Sequence, residues 1–185
     1  GTAGLTLNVR GPGLVTVNRG TPLSNNQFGV GNIMQVGVLN MSNTTLQVSG
    51  GNNYRFRVGG PTNIMGSQAA FQTNSDGPSG IIELFGVISG GTLTKLGDGT
   101  LRNLVIGGNA NTYSGGTNII AGDVQVLANS GTPLGSGPVR IFPDGALRIS
   151  GNGSVDGSKL TTLSRAGALG AVVIEGNFNP SVLTP

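Results

Sequence analysis

Glycine recurs every few residues along the whole chain, 35 times in 185 residues, and this rules against helical architecture before any other feature is considered. Each Gly in a helix interior costs about 1 kcal/mol relative to Ala, and here that cost would return every turn or two. Between the glycines lie short apolar alternations: LTLNV from Leu5, LVTV from Leu14, IMQVGVLNM from Ile33, TTLQV from Thr44 and YRFRV from Tyr54. They continue through IIELFGVI, TLTKL, TLRNLVI, TNII, DVQVL, VRIF, ALRI and AVVI. Runs of this length, rich in Val, Ile, Leu and Thr and ending at Gly, Asn or Asp-Gly, carry the period-two signature of strands. The predicted fold is all-β with no substantial helix.

Aromatic content narrows the architecture. Sandwiches and small barrels bury several large aromatics, whereas this chain has 6 Phe, 2 Tyr and no Trp, so its core must be narrow and aliphatic. A β-solenoid has such a core: coils of roughly 20 to 25 residues stack at the inter-strand spacing, and Gly and Asn supply tight corners. Asp76, Asp98, Asp123 and Asp144 follow that beat at nearly even intervals, which places each near one corner of successive coils. Asp-Gly pairs at Asp76, Asp98, Asp144 and Asp156 are also good turn sequences in their own right. Internal repetition is degenerate. TLQVSGGNNY from Thr45 and TLRNLVIGGNANTY from Thr100 both read as strand, Gly-Gly-Asn corner and Tyr, with the triplets at 50–52 and 107–109.

What is missing limits the chemistry. There is no Cys, His or Trp, and charged residues make up 9% of the chain. Ser-His and Cys-His nucleophile pairs, thiolate or imidazole zinc sites and histidine general bases are therefore excluded. Any reaction must run on carboxylates, Lys, Tyr or hydroxyls. The 10 cations against 7 acids give a net charge of +3, but they are spread along the chain and form no basic stripe for nucleic acid. The longest uncharged apolar stretch, residues 166–174, is about half the length of a spanning helix. Opening on Gly, with no basic segment before an apolar one, the sequence reads as a mature or excised segment. Absence of Cys fits a reducing cytosol or an exported bacterial protein equally well.

Residues 91–151 carry a more specific pattern. Leu-Thr-Lys at 93–95 is followed by Gly-Asp-Gly-Thr-Leu at 97–101, Asn-Thr-Tyr-Ser-Gly-Gly-Thr at 111–117, Ala-Gly-Asp-Val-Gln-Val at 121–126 and Leu-Gly-Ser-Gly-Pro-Val at 134–139. This stretch closely resembles the autotransporter-associated β-strand repeat, the passenger repeat of bacterial surface and secreted proteins. Two departures stand out: residues 102–105 lengthen the second strand, and Val124 stands where Leu is usual. The resemblance implies a right-handed parallel β-helix, exported and displayed at or released from the cell surface. It implies no catalytic residue, because the repeat is a scaffold element. On this reading residues 1–90 are drifted coils of the same solenoid, 91–151 the matching coils, and 152–185 a terminal coil and C-terminal edge or connector. The C-terminal NFNPSVLTP shows none of the ten-residue strands and aromatic girdles of an outer-membrane barrel, so the expectation is a passenger piece or a freestanding exported protein.

Candidate sites are few. Asp123 beside Asp144 on adjacent coils would bring carboxylates to the ~5–9 Å separation of glycoside hydrolases, making a polysaccharide-cleaving or polysaccharide-binding β-helix the alternative function. Ordinary corner chemistry accounts for both residues more simply. Asn152, Ser154, Asp156 and Gly157 mimic the start of a calcium loop without its closing Glu, and a solvated turn is preferred. Arg55 and Arg57 fall on one side of their strand with Tyr54 and Phe56 on the other, a cationic face for an acidic polysaccharide or simply a solvated face over a buried one. Asn25, Asn26, Asn52 and Asn53 are candidates for asparagine ladders. No catalytic, cofactor-binding or metal residue is assigned and no cofactor is expected. The predicted partner is the chain itself, because solenoid ends expose unpaired strand edges. Pro180 and Pro185 blunt the C-terminal edge, whereas GTAGLTLNV at the N-terminus is flat and uncharged. The sequence therefore reads as a non-enzymatic, exported structural solenoid, either an adhesin-like stalk or a filament protomer.

Overall fold

The computed structural model describes residues 4–17, 33–50, 54–73, 80–97, 104–108, 110–127, 131–150, 155, 157–165 and 168–175. Asn25, Asn26, Asn52, Asn53, Asp76, Asp98, Asn152, Ser154, Asp156, Pro180 and Pro185 lie outside them. The strands are β1 (Thr6–Val9), β2 (Gly13–Val17), β3 (Ile33–Val36), β4 (Val38–Met41), β5 (Thr44–Gly50), β6 (Arg55–Val58), β7 (Thr62–Thr73) and β8 (Ile81–Leu84). They continue as β9 (Ile88–Leu96), β10 (Leu104–Ile106), β11 (Thr117–Val126), β12 (Val139–Ser150), β13 (Leu160–Thr162), β14 (Ser164–Arg165), β15 (Ala168–Leu169) and β16 (Ala171–Glu175). Among the described residues helix is confined to the short 3-10 turn Gly157–Lys159.

Strand pairing makes the chain a parallel β-solenoid with three faces. The first face stacks β1, β4 and the opening parts of β7 and β9. The second stacks β2, β5, the latter parts of β7 and β9, the opening parts of β11 and β12, and β13. The third stacks β3, β6, β8, β10, the latter parts of β11 and β12, and β16. Long strands bend from one face into the next, so fourteen strands join in one sheet. The exception is the antiparallel hairpin β14–β15, inserted between the last strands of the second and third faces.

The sequence separation of stacked residues, such as Ile106 with Val126 and Val58 with Leu84, is close to the coil length expected from the turn spacing. The first step, from Val9 to Met41, is longer, and it spans residues 18–32, which lie outside the described residues. Corner segments absorb such differences because they need not pair, whereas a one-residue slip within a strand would turn every side chain to the wrong side.

Alternation produces the core directly. On the third face Val36, Val58, Leu84, Ile106, Val126 and Ile149 form one inward column and Phe56, Ile82, Leu104, Val124 and Leu147 another, all buried. Each such side chain stabilises by about 1.5–3 kcal/mol when fully buried, and the small aliphatics fit the narrow interior that the scarcity of aromatics predicted. The second face adds Leu46, Phe71, Ile119 and Ile141, with Lys95 in register between Phe71 and Ile119.

The corner between the third and first faces is a stack of glycines: Gly4, Gly37, Gly60, Gly86 and Gly108. A Cβ on Gly37, Gly60, Gly86 or Gly108 would come within 3.0 Å of backbone of the glycine one coil earlier. Here the requirement is close approach between layers rather than an unusual φ. At the next corner Asn43 takes φ 47°, and its Oδ1 accepts hydrogen bonds from Ser67 N at 2.8 Å and Ser67 Oγ at 2.9 Å in the following coil.

Candidate functional site

The most highly charged cluster sits outside the third face. Arg57 and Glu83 are directly opposite on β6 and β8, and Arg57 Nε donates to Glu83 Oε2 at 2.6 Å while Arg55 Nη1 donates to Oε1 at 2.9 Å. The Glu83 side chain is 4% exposed against 41% for Arg55. Arg57 also lies over the Phe85 ring, 4.7 Å from its centroid. The alternation of the strand is as expected: Phe56 is buried, Tyr54 packs against the core, and both Arg side chains point outward. Both guanidinium groups are engaged by one carboxylate, so the cationic face is a clamp around Glu83.

The two acids considered for catalysis do not share a register. Asp123 is opposite Ala146, and Asp144 is opposite Ala121, two positions away along the strand. Asp123 is buried and its Oδ2 accepts from Arg148 Nε at 2.6 Å, whereas Asp144 is exposed. Gly157 opens the 3-10 turn, while the other residues of the calcium-like loop are outside the described residues. No group of three or more acidic residues capable of holding a metal occurs among the described residues.

The Asn-x-Tyr-x-Gly-Gly-Thr segment is a set of ties between coils. Asn111 is buried; its Oδ1 accepts Ile88 N at 2.8 Å from the coil before, and its Nδ2 donates to Pro133 O at 2.7 Å in the coil after. Tyr113 fills the interior, and burial pushes its phenol pKa above the ordinary value while the Thr117 hydrogen bond pulls the other way. Thr117 Oγ1 donates to Leu134 O at 3.3 Å, so the 2.7 Å contact with Tyr113 has the phenol as donor. Gly116 takes φ 93°, a conformation nearly closed to residues with a Cβ.

Besides Glu83, two further features escaped sequence reasoning. Lys95 is fully buried, its Nζ donating to Thr73 Oγ1 at 3.2 Å, to Leu96 O, and to Gly97 O and Ala121 O at 3.4 Å. An asparagine ladder also exists, on residues other than those proposed. Asn8, Asn40, Asn63 and Ser89 occupy one outward column of the first face. Asn40 Nδ2 donates to Asn8 Oδ1 at 2.8 Å, Asn63 Nδ2 to Asn40 Oδ1 at 2.7 Å, and Ser89 Oγ to Asn63 Oδ1 at 3.1 Å. The signal was an Asn at the middle of three strand triplets, Leu-Asn-Val, Leu-Asn-Met and Thr-Asn-Ile, where alternation turns it outward.

No helix among the described residues is long and apolar enough to cross a membrane. Comparison with known proteins returns no matching family model, curated protein or solved structure.

Proposed function

We propose that this chain is a non-catalytic, exported structural module, a stiff β-solenoid that serves as a surface-displayed stalk or as the protomer of an extracellular filament or sheath. The observation that carries the reading is the N-terminal end of the solenoid. β1, β2 and β3 each pair on one side only among the described residues, and Leu5, Leu14, Ile33 and Met34 beside or within them are exposed. Unpaired parallel edges with apolar side chains favour a further layer of strands, supplied by another solenoid coil. Parallel ladders on three faces, two of them running on to β13 and β16, make a rod whose stability grows with each coil added. The passenger-repeat resemblance of residues 91–151 supports export and display.

Negative-stain electron microscopy across a concentration series tests the reading. Unbranched fibres that lengthen with concentration are expected of a filament protomer, and discrete short rods of a stalk. Compact particles of no fixed axis, or glycan cleavage lost in Asp123→Asn, would refute a structural role.

A further inference from the structure

A groove of about 280 Å³ opens on the first face at its N-terminal end, lined by Asn8, Arg10, Asn40, Met41, Ser42 and Met65. Its floor crosses three coils. Ser42 N donates to Val9 O at 3.3 Å, which sets Ser42 beside Arg10, and the pairing of Met41 with Ile64 sets Met65 beside Ser42. At ~4.8 Å per layer, Arg10 and Met65 are about 10 Å apart along the solenoid axis.

The asparagine ladder gives this groove a direction. Every amide in it donates toward the N-terminal end, from Asn63 to Asn40 and from Asn40 to Asn8. Aligned hydrogen bonds polarise one another, and the donor end of the row is Asn8, whose Nδ2 has no acceptor among the described residues. Arg10, exposed and without an ion-pair partner among the described residues, stands next to it. No acidic residue lines the groove. One end therefore gathers N–H donors and positive charge, while Met65, 70% exposed, offers a thioether surface at the other.

We propose that this groove binds a carboxylate-bearing sugar, a uronic acid unit. Its carboxylate is held by the planar Arg10 guanidinium and the Asn8 amide, its hydroxyls by Ser42 and Asn40, and the C–H face of its ring by Met65. The volume falls just below the ~300–1,000 Å³ typical of small-ligand pockets, which suits no more than one sugar unit. The net charge of +3 attracts an acidic polymer to the surface, while the absence of an aromatic side chain in the groove disfavours a stacked nucleic-acid base. The site rests on β1 being the outermost layer of the stalk or filament, because a further coil stacked on β1 would take the Asn8 amide.

Isothermal titration of the whole chain with an oligogalacturonate, a neutral glucose oligomer and oligothymidylate tests the assignment. Saturable binding of the oligogalacturonate alone is expected, weakening with added salt. Arg10→Gln should lower the affinity about tenfold or more, and Met65→Ser less, with melting temperatures unchanged. Arg140→Gln, an exposed arginine on the second face, should bind like the wild type. Absence of saturable binding, equal affinity for either control oligomer, or equal loss in Arg10→Gln and Arg140→Gln would overturn the site.

Discussion

The glycine corner makes the sharpest claim about what holds the coils together, and Gly86→Ala is the substitution that tests it. The new Cβ would fall within 3.0 Å of the Gly60 carbonyl and 2.9 Å from Pro61 N, where carbon and carbonyl oxygen ordinarily stay about 3.3 Å apart or more. All of the opposing atoms are backbone, so no side chain can swing aside. That backbone is tied down by Gly60 N donating to Gly37 O at 2.7 Å, Phe85 N to Val58 O at 3.0 Å and Thr62 N to Val87 O at 2.9 Å. Relief must come from prising two layers apart. Overpacking of this kind costs about 1–3 kcal/mol, and weakening the two hydrogen bonds between the coils adds about 1 kcal/mol each. The loss of unfolded-state freedom from Gly to Ala returns about 0.4–1 kcal/mol. The net expectation is a destabilisation of about 2–4.5 kcal/mol, or roughly 4–18 °C in melting temperature for a chain of this size. Urea and thermal unfolding followed by far-UV circular dichroism measure it, with Gly11→Ala as reference, because a Cβ there meets nothing within 4 Å. If the two variants unfold within about 1 kcal/mol of each other, the corner is not held by contact between layers.

Asn111→Ala leaves Ile88 N and Pro133 O without their buried partner and is expected to cost at least about 2 kcal/mol, with amide hydrogen exchange at Ile88 accelerating before the rest of the chain. Tyr113→Phe removes one relayed hydrogen bond and should cost about 1 kcal/mol at neutral pH. The pH dependence of that variant carries a further sign. Because burial holds the Tyr113 phenol above its unfolded value of about 10, its contribution is intact below that pH and is lost as pH rises, by up to about 1.4 kcal/mol per unit. Melting temperatures above pH 10 should therefore fall more steeply for the wild type than for Tyr113→Phe. Glu83→Gln leaves Arg55 and Arg57 facing each other with no carboxylate between them; a loss of about 1–3 kcal/mol in urea unfolding is expected, discounted from the fully buried case because Arg55 is partly exposed.

The strands and their inward faces were legible because alternation is local: YRFRV alone says that Phe56 turns in while Arg55 and Arg57 turn out. Partners across coils were not, because they depend on the length of each corner. The ladder climbs from Asn8 to Asn40, Asn63 and Ser89 in unequal steps, so no single period would find it. The reverse error came from the acidic residues. A count of turn signals places Asp123 beside Asp144, but the register between β11 and β12 sets Asp123 against Ala146, two positions further along. That small mismatch between turn spacing and strand register separates the two carboxylates. Glu83 escaped notice for a related reason: its cationic partners, Arg57 and Arg55, lie a full coil earlier in the chain, and nothing local marks a buried acid.

Why one segment reads as a motif while the ladder does not follows from what each residue touches. In residues 111–117 Asn111 bridges the coils on both sides, Tyr113 fills the space beneath Gly135, and Thr117 passes the phenol's hydrogen bond to Leu134. Gly115 admits the backbone of Gly91 and Thr92. A column of amides, by contrast, asks only that each layer supply one polar residue, and Ser89 serves as well as Asn. Both devices spend their hydrogen-bonding groups on the neighbouring coil. Not every group in the middle of the solenoid is spent this way: the Thr44 and Thr62 hydroxyls and Arg55 Nε are buried without a hydrogen-bond partner. The Asn8 amide and Arg10 belong to the layer of β1, which pairs on one side only among the described residues. A recognition site at the end of the amide row, and a stacking edge on the same layer, are thus two consequences of the same geometry, and a coil added beyond β1 would compete with a sugar for Asn8.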